Sequence, residues 1–170
     1  MSRTYVVTGA ASGIGKATTE LLLERGHKVI GVDIRDADVT VDLSTAEGRA
    51  ALVEKVTALS GGTIDAVIAN AGLATPTAIT VAVNYFGTVA TLEGLRPLLV
   101  NSPAPRAVAT ASMASLFPPD DALLTALLAG DEKAALARGA ELEAGGPQLG
   151  SLIYGTTKRA LALWIRRHAA

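Results

Sequence analysis

Tyr154 and Lys158 stand one helical turn apart in the stretch Tyr154-Gly155-Thr156-Thr157-Lys158, near the C-terminal end of the sequence. On a helix, residues at positions i and i+4 stack their side chains on one face. An ammonium held there favours the ionised form of a phenol, whose ordinary pKa is about 10. Making a phenol useful near neutrality takes roughly 4 kcal/mol of preferential phenolate stabilisation, at about 1.4 kcal/mol per pKa unit. Such a pair is suited to passing a proton to or from an oxygen. Amphipathic helices also produce this spacing by chance, so the elements upstream decide what it means.

Thr4-Tyr5-Val6-Val7-Thr8 is a short β-prone run, followed at once by Gly9-Ala10-Ala11-Ser12-Gly13-Ile14-Gly15. Ile14, Ala17, Thr18, Leu21 and Leu22 then fall at helical spacing, and Gly26 stands where a C-terminal cap belongs. The glycines therefore occupy a strand-to-helix turn. Glycine lets the backbone approach a pyrophosphate, and the helix N-terminus offers unpaired N–H groups and the positive end of its dipole. This context favours a dinucleotide-phosphate site over an ordinary tight turn of a parallel α/β unit. Lys28 to Val32 reads as a second strand, ended by Asp33. A carboxylate there suits the adenosine ribose hydroxyls and repels a 2′-phosphate, which favours NAD(H) over NADP(H). Arg35 nearby softens that repulsion, and a plain surface Asp is the alternative.

Val39 to Val41 reads as a short third strand, ending at Asp42-Leu43. Ser44-Thr45-Ala46-Glu47 has the spacing of a capping box and opens a helix with Leu52, Val53, Val56 and Leu59 inward. Gly61-Gly62 ends it, and Ile64 to Ala69 forms a fourth strand running into Asn70-Ala71-Gly72, on the ligand side of such sheets or simply in a turn. From Ile79 to about Val100 the pattern is helical, with Pro97 kinking or ending it. Asn84 lies among apolar neighbours there, as a satisfied core amide or as part of a site. Ala107 to Ala111 reads as a fifth strand that delivers Ser112 at its carboxyl end.

Composition narrows the class. The 170 residues carry 49% hydrophobic side chains, with a mean hydropathy of +0.37, as strands buried on both faces of a parallel sheet require. No apolar run approaches the roughly 18 residues of a membrane span. Strand character begins by Thr4, leaving no room for a signal peptide. Fifteen basic and sixteen acidic residues, with no basic block, argue against nucleic acid. There is no Cys, and His27 and His168 read as surface residues, so no metal site is expected. The reading is a cytoplasmic α/β protein with one doubly wound parallel sheet (Rossmann fold), strand order 3-2-1-4-5, over residues 1–170 as a single domain.

Thr8-Gly9, Gly13-Ile14-Gly15, Asn70-Ala71-Gly72, Asn84, Ser112 and Tyr154 with Lys158 follow one another in register. In this the whole chain resembles a short-chain dehydrogenase/reductase. Asp33-Ile34-Arg35-Asp36-Ala37, Asp42 through Arg49, and Val83-Asn84-Tyr85-Phe86-Gly87 are similar to the bacterial 3-alpha-hydroxysteroid dehydrogenase/carbonyl reductase branch of that family. The resemblance implies reversible hydride transfer between NAD(H) and a secondary alcohol or ketone, with a small hydrophobic substrate. It implies Tyr154 as general acid/base and Ser112 as hydrogen-bond donor to the substrate oxygen. Lys158 would stabilise the Tyr154 phenolate and bind the nicotinamide ribose, and Asn84 would anchor a water of the proton relay. Gly9, Ser12, Gly13, Ile14, Gly15, Asp33, Ile34, Asp42, Leu43, Asn70, Ala71 and Gly72 would line the cofactor, together with Tyr154 and Lys158.

The 41 residues between Ser112 and Tyr154 exceed what most members of the family place there. Asp120 or Asp121 opens a helix with Leu123, Leu124, Leu127 and Leu128 on one face, closed by Gly130. A second helix runs from Glu132 to Glu143, and Gly145-Gly146-Pro147 breaks it. This helical insertion, at about residues 118–147, lines a substrate mouth, restricts oligomerisation, or does both. In the last helix Leu152, Ile153, Leu161, Leu163, Trp164 and Ile165 spread around the circumference, pointing to a homodimer or homotetramer. Compared with a complete member, two C-terminal strand units, roughly 60 or more residues, are missing. A longer parent chain and an open sheet edge beside the fifth strand are therefore expected.

Overall fold

The computed structural model describes residues 2–169. Five parallel strands form one sheet in the order β3-β2-β1-β4-β5, as the alternation of strand and helix patterns predicts. The strands are β1 (Thr4–Thr8), β2 (Lys28–Asp33), β3 (Val39–Thr40), β4 (Ala66–Ala69) and β5 (Arg106–Ala109). β1 lies in the middle, with Thr4 beside Lys28 and Thr8 beside Val32 on one side and Tyr5 beside Ala66 on the other. Crossovers run through α1 (Gly13–Glu24), α2 (Ala46–Ser60) and α4 (Thr88–Leu99). Sequence boundaries and structure differ by a residue or two. Ile64 and Asp65 precede β4, and β5 begins at Arg106 and ends at Ala109, so that Ser112 follows it three residues on.

By compactness the chain divides into two units. One comprises the chain up to Ala71 with Thr88–Thr110, and the other Gly72–Gly87 with the chain from Ala111 onward. The first unit holds the sheet. Val6, Ile30, Val32, Val39 and Val67 pack with Leu52 and Val56 of α2 and Leu95, Leu98 and Leu99 of α4. Each fully buried Leu or Val contributes about 1.5–3 kcal/mol relative to exposure. The cap of α2 is Thr45, whose hydroxyl accepts from the Gly48 N–H at 3.0 Å, while Ser44 turns back to Asp42 Oδ1 at 2.7 Å. Leu59, expected inward, is exposed, because it falls in the last turn of α2 just before left-handed Gly61. α4 runs two residues past Pro97, to Leu99. In α1 only Gly15 is buried, and Ile14 and Leu21 are exposed, because this helix approaches the sheet through a glycine backbone. β5 is an edge of the sheet, with Val108 exposed. His27 is half-buried rather than a plain surface residue: its ring lies 5.2 Å from that of Tyr5, and Nδ1 accepts from the Arg3 N–H.

The second unit is built around α7 (Pro147–His168), with Pro147 in its first turn. Around it lie α3 (Ile79–Val81), a π-helical turn (Ala82–Gly87), a 3₁₀ turn (Met113–Leu116), α5 (Asp121–Ala129) and α6 (Glu132–Ala144). Asp120, not Asp121, caps α5, accepting from the Leu123 N–H at 2.8 Å, and left-handed Gly130 closes it. Leu123, Leu127, Leu142, Ile153 and Leu161 are fully or almost fully buried in this unit. Leu163, Trp164 and Ile165 are half-buried, and the Trp164 ring stacks on His168 at 4.3 Å.

Candidate active site

In the first unit the sheet's carboxyl ends carry the glycine-rich turn. The Gly9 N–H donates to the Val32 carbonyl at 2.8 Å, and the Ala11 N–H donates to Asp33 Oδ2 at 2.9 Å. Gly9 is left-handed, with φ +72°. A Cβ on Gly15 would lie 2.0 Å from the Gly9 carbonyl oxygen and 2.8 Å from Asn70 Nδ2, so helix, turn and Asn70 meet where only glycine fits. Thr8 explains the rest of the corner. Its hydroxyl accepts from the N–H groups of Asn70 and Ala71, each at 3.0 Å, while Thr110 Oγ1 donates to Asn70 Oδ1 at 2.9 Å.

These residues fit a dinucleotide diphosphate. Open space surrounds the position where a Gly13 Cβ would stand. Ser12, the N-cap of α1, spends no side-chain hydrogen bond on the helix, and no acidic residue occupies the first turn. An anion is thus offered N–H groups and dipole without competition. Asp33 gives one oxygen to Ala11 and the other to its neighbour Ile34 N–H at 2.7 Å. A carboxylate has about four lone-pair sites, so capacity remains for ribose hydroxyls. Ile34 is exposed just beyond β2, whereas the Leu43 side chain is in the core, leaving only its backbone for a ligand. Asp42 Oδ1 is occupied by the Ser44 N–H and hydroxyl. Asp38 went unnoticed in the sequence: its Oδ2 accepts from the Gly31 N–H at 2.8 Å and steadies β2. Nothing in the spacing of an Asp within an acidic loop signals that.

Asn84, Ser112, Tyr154 and Lys158 all lie in the second unit, with Gly72 exposed at its start. Lys158 is 4% exposed and its Nζ stands 5.8 Å from the centroid of the Tyr154 ring. Burial pushes the lysine's pKa down. Asn84 is fully buried in the π-helical turn, a distortion frequent at functional sites. Its Oδ1 accepts from the Leu73 N–H at 2.7 Å, and its Nδ2 donates to the Leu73 carbonyl at 2.9 Å and to Thr157 Oγ1 at 3.4 Å. Thr157 Oγ1 in turn donates to the Tyr154 carbonyl at 2.8 Å. Ser112 is the N-cap of the 3₁₀ turn and accepts from the Ala114 N–H at 3.2 Å, so its hydroxyl hydrogen is left to donate elsewhere. Gly155 draws that turn onto α7: a Cβ there would stand 3.0 Å from the Ala114 carbonyl oxygen. Arg159 Nη1 reaches the Ser115 carbonyl at 3.5 Å, a second tie. Gly155 lay inside the Tyr–Lys stretch, but glycine in mid-helix signals a close approach without naming the partner.

Among the described residues there is no cluster of His, Cys, Asp or Glu able to hold a metal, and no helix long and apolar enough to cross a membrane.

The model of the short chain dehydrogenase family matches residues 3–122, and the chain belongs to that family. Within it, the chain is 40% identical over 170 aligned residues to the 3-alpha-hydroxysteroid dehydrogenase/carbonyl reductase of Comamonas testosteroni, covering 97% of this chain and 65% of that protein. The crystal structure of the 3-alpha-hydroxysteroid dehydrogenase from Pseudomonas sp. B-0831, complexed with NADH, superposes with a TM-score of 0.86 at 38% identity. That match again covers 97% of this chain and 65% of the other. Over a shorter stretch of 92 residues the chain is 42% identical to the cis-4-hydroxycyclohexanecarboxylate dehydrogenase of Sinomonas cyclohexanicum, covering 45% of this chain and 36% of that protein. The chain therefore spans 65% of the length of the first two relatives.

Proposed function

We infer that the protein is an NAD(H)-dependent oxidoreductase interconverting a secondary alcohol and a ketone, with a 3-alpha-hydroxysteroid as the substrate class. The observation that carries this is the burial of Lys158 beside Tyr154. An ammonium held out of water lowers stability, and sites that tolerate such a cost are characteristically catalytic. When bound, the nicotinamide supplies the acceptor or donor of hydride. Gly9, Ser12, Gly13, Ile14 and Gly15 hold the diphosphate. Asp33 and Ile34, with Asp42, Leu43 and Asn70-Ala71-Gly72, hold the adenosine side and its approach, and the Asp33 carboxylate sets the preference for NAD(H) over NADP(H).

Tyr154 takes the proton from the alcohol oxygen during oxidation and returns it during reduction. Lys158 steadies the phenolate and binds ribose. Ser112 donates its hydroxyl hydrogen to the substrate oxygen. Asn84, its amide engaged with Leu73 and Thr157, fixes the backbone at which a relay water is held. Met113, Leu116 and Phe117, exposed immediately after Ser112, favour an apolar substrate. The names of the relatives of Comamonas testosteroni and Pseudomonas point the same way. A general carbonyl reductase for small ketones and aldehydes is the second reading, since the Comamonas relative carries both names. The protein works as a homodimer or homotetramer in the cytoplasm.

The test is a substrate panel of 3-alpha-hydroxysteroids, small secondary alcohols and small ketones, with NAD+ or NADH. The steroid reading expects kcat/KM at least about tenfold higher for the steroids, equivalent to about 1.4 kcal/mol. Equal rates across the panel favour the general reductase, and no turnover of any member contradicts the enzyme reading.

A further inference from the structure

The α5–α6 pair is fastened to the helix that carries Tyr154 and Lys158, and the fastening is specific. Asp120, besides capping α5, receives a two-pronged contact from Arg138 on α6: Nε to Oδ1 at 3.1 Å and Nη2 to Oδ2 at 2.8 Å. Asp120 is the more buried partner, its side chain 12% exposed against 35% for Arg138. The Arg138 hydrogen bonds hold the Asp120 carboxyl below the usual carboxylate range. The Asp120 main-chain N–H then donates to Thr156 Oγ1 at 2.9 Å. Thr156 is fully buried, midway between Tyr154 and Lys158. A second attachment reaches the segment that leads into Asn84. Glu143 Oε2, on α6, accepts from the Ala78 N–H at 2.8 Å, and a Cβ on Gly139 would stand 2.9 Å from Val81 Cγ2.

We propose that Asp120, locked by Arg138, is a positioning residue that fixes the Tyr154–Lys158 turn through Thr156. A planar guanidinium gripping both carboxylate oxygens fixes direction as well as distance. It therefore fixes where the adjoining N–H points. Losing that alignment strands a donor at Asp120 and a buried hydroxyl at Thr156. The α5–α6 pair thereby becomes part of the catalytic scaffold rather than only a rim or a spacer between subunits. This rests on the reading of Tyr154 as the acid/base.

The variants are Thr156→Val, which keeps the shape and removes the acceptor, Arg138→Met, which removes the grip, and Arg138→Lys, which keeps the charge and loses the fork. Two readouts are needed: amide hydrogen exchange of residues 154–160 in the cofactor-free protein, and kcat and KM for the best alcohol with NAD+. Thr156→Val and Arg138→Met are expected to speed exchange in 154–160 about tenfold and to lower kcat about tenfold. That is the scale of one lost buried hydrogen bond with a charged group behind it. The NAD+ dissociation constant should stay within about twofold, and Arg138→Lys should fall between wild type and Arg138→Met. Faster exchange confined to α5 and α6, with 154–160 and kcat unchanged, overturns the proposal. If the wild type proves inactive, the functional reading fails, and exchange in 154–160 alone decides whether the latch exists. Should Thr156→Val not fold, the two Arg138 variants carry the same decision.

Discussion

Gly15 is the position where the structure is least forgiving, and Gly15→Ala turns that into a number. The added Cβ would sit 2.0 Å from the Gly9 carbonyl oxygen and 2.7 Å from its carbon, with Asn70 Nδ2 at 2.8 Å. Ordinary contact lies well beyond 3 Å, so the start of α1 must retreat by more than 1 Å from a turn pinned to Val32 and Asp33. Overpacking of this kind costs about 1–3 kcal/mol. Because the clash is with backbone, the upper end, about 3 kcal/mol, is expected. For a chain of this size that lowers Tm by roughly 6–12 °C. Gly13→Ala is the control: its Cβ meets nothing within 4 Å, and only the φ of +52° is strained, at about 1–2 kcal/mol. Thermal unfolding and NADH fluorescence titration, run side by side, read both effects. Gly15→Ala should lose NADH affinity about tenfold or more; Gly13→Ala is a control for stability alone, since Gly13 is itself assigned to the diphosphate, and it should lose the smaller amount. A Gly15→Ala protein with wild-type Tm and NADH affinity would refute the close approach of helix, turn and Asn70.

Three further outcomes follow from individual side chains. Lys158→Met should abolish turnover and remove the pH dependence of stability that the burial of this ammonium causes. The folded pKa of Lys158 lies below the unfolded 10.5, so in that interval the unfolded chain binds more protons and wild-type stability rises with pH. Urea unfolding across that range should show this rise in wild type and not in the variant. Asp33→Ser should raise the ratio of NADP+ to NAD+ use about tenfold or more and weaken NAD+ binding, because Asp33 also holds the Ala11 N–H; an unchanged ratio contradicts the assigned role. The hydrogen bond from Ser102 at 2.6 Å, with the Thr4 N–H and Arg3, lowers the Asp65 pKa below 3.8. Its contribution is complete above 3.8 and disappears as pH falls through the folded value. Ser102→Ala should therefore destabilise at neutral pH by no more than about 1 kcal/mol, as this carboxylate is largely solvent-screened, and progressively less in acid.

The strands were legible because buried parallel strands are written as apolar runs such as Tyr5-Val6-Val7, which leads through Thr8 to Gly9, and Ala66-Val67-Ile68, which leads through Ala69 to Asn70. The glycine-rich turn was legible because its glycines stand between an apolar strand run and a helical pattern, which is where β1 and α1 place them. Contacts made across long sequence separations were not. Thr8 serving Asn70 and Ala71, Gly155 meeting Ala114, and Asp120 meeting Thr156 are ordinary residue types whose partners depend on packing. The π-helical turn around Asn84 was hidden for the same reason: its sequence reads as regular helix, and the amide's bonds to Leu73 accompany the wider turn.

Tyr154 is the group assigned to move the proton. The most direct measurement is NADH formation from NAD+ and a 3-alpha-hydroxysteroid by wild-type protein and Tyr154→Phe, with NADH affinity determined on the same preparations. The prediction is that Tyr154→Phe loses about a hundredfold or more in kcat, the scale of general acid–base catalysis, while NADH binds within about twofold of wild type. A Tyr154→Phe protein that turns over within about threefold of wild type would contradict the assignment, since losing the phenol would then remove almost none of that catalysis.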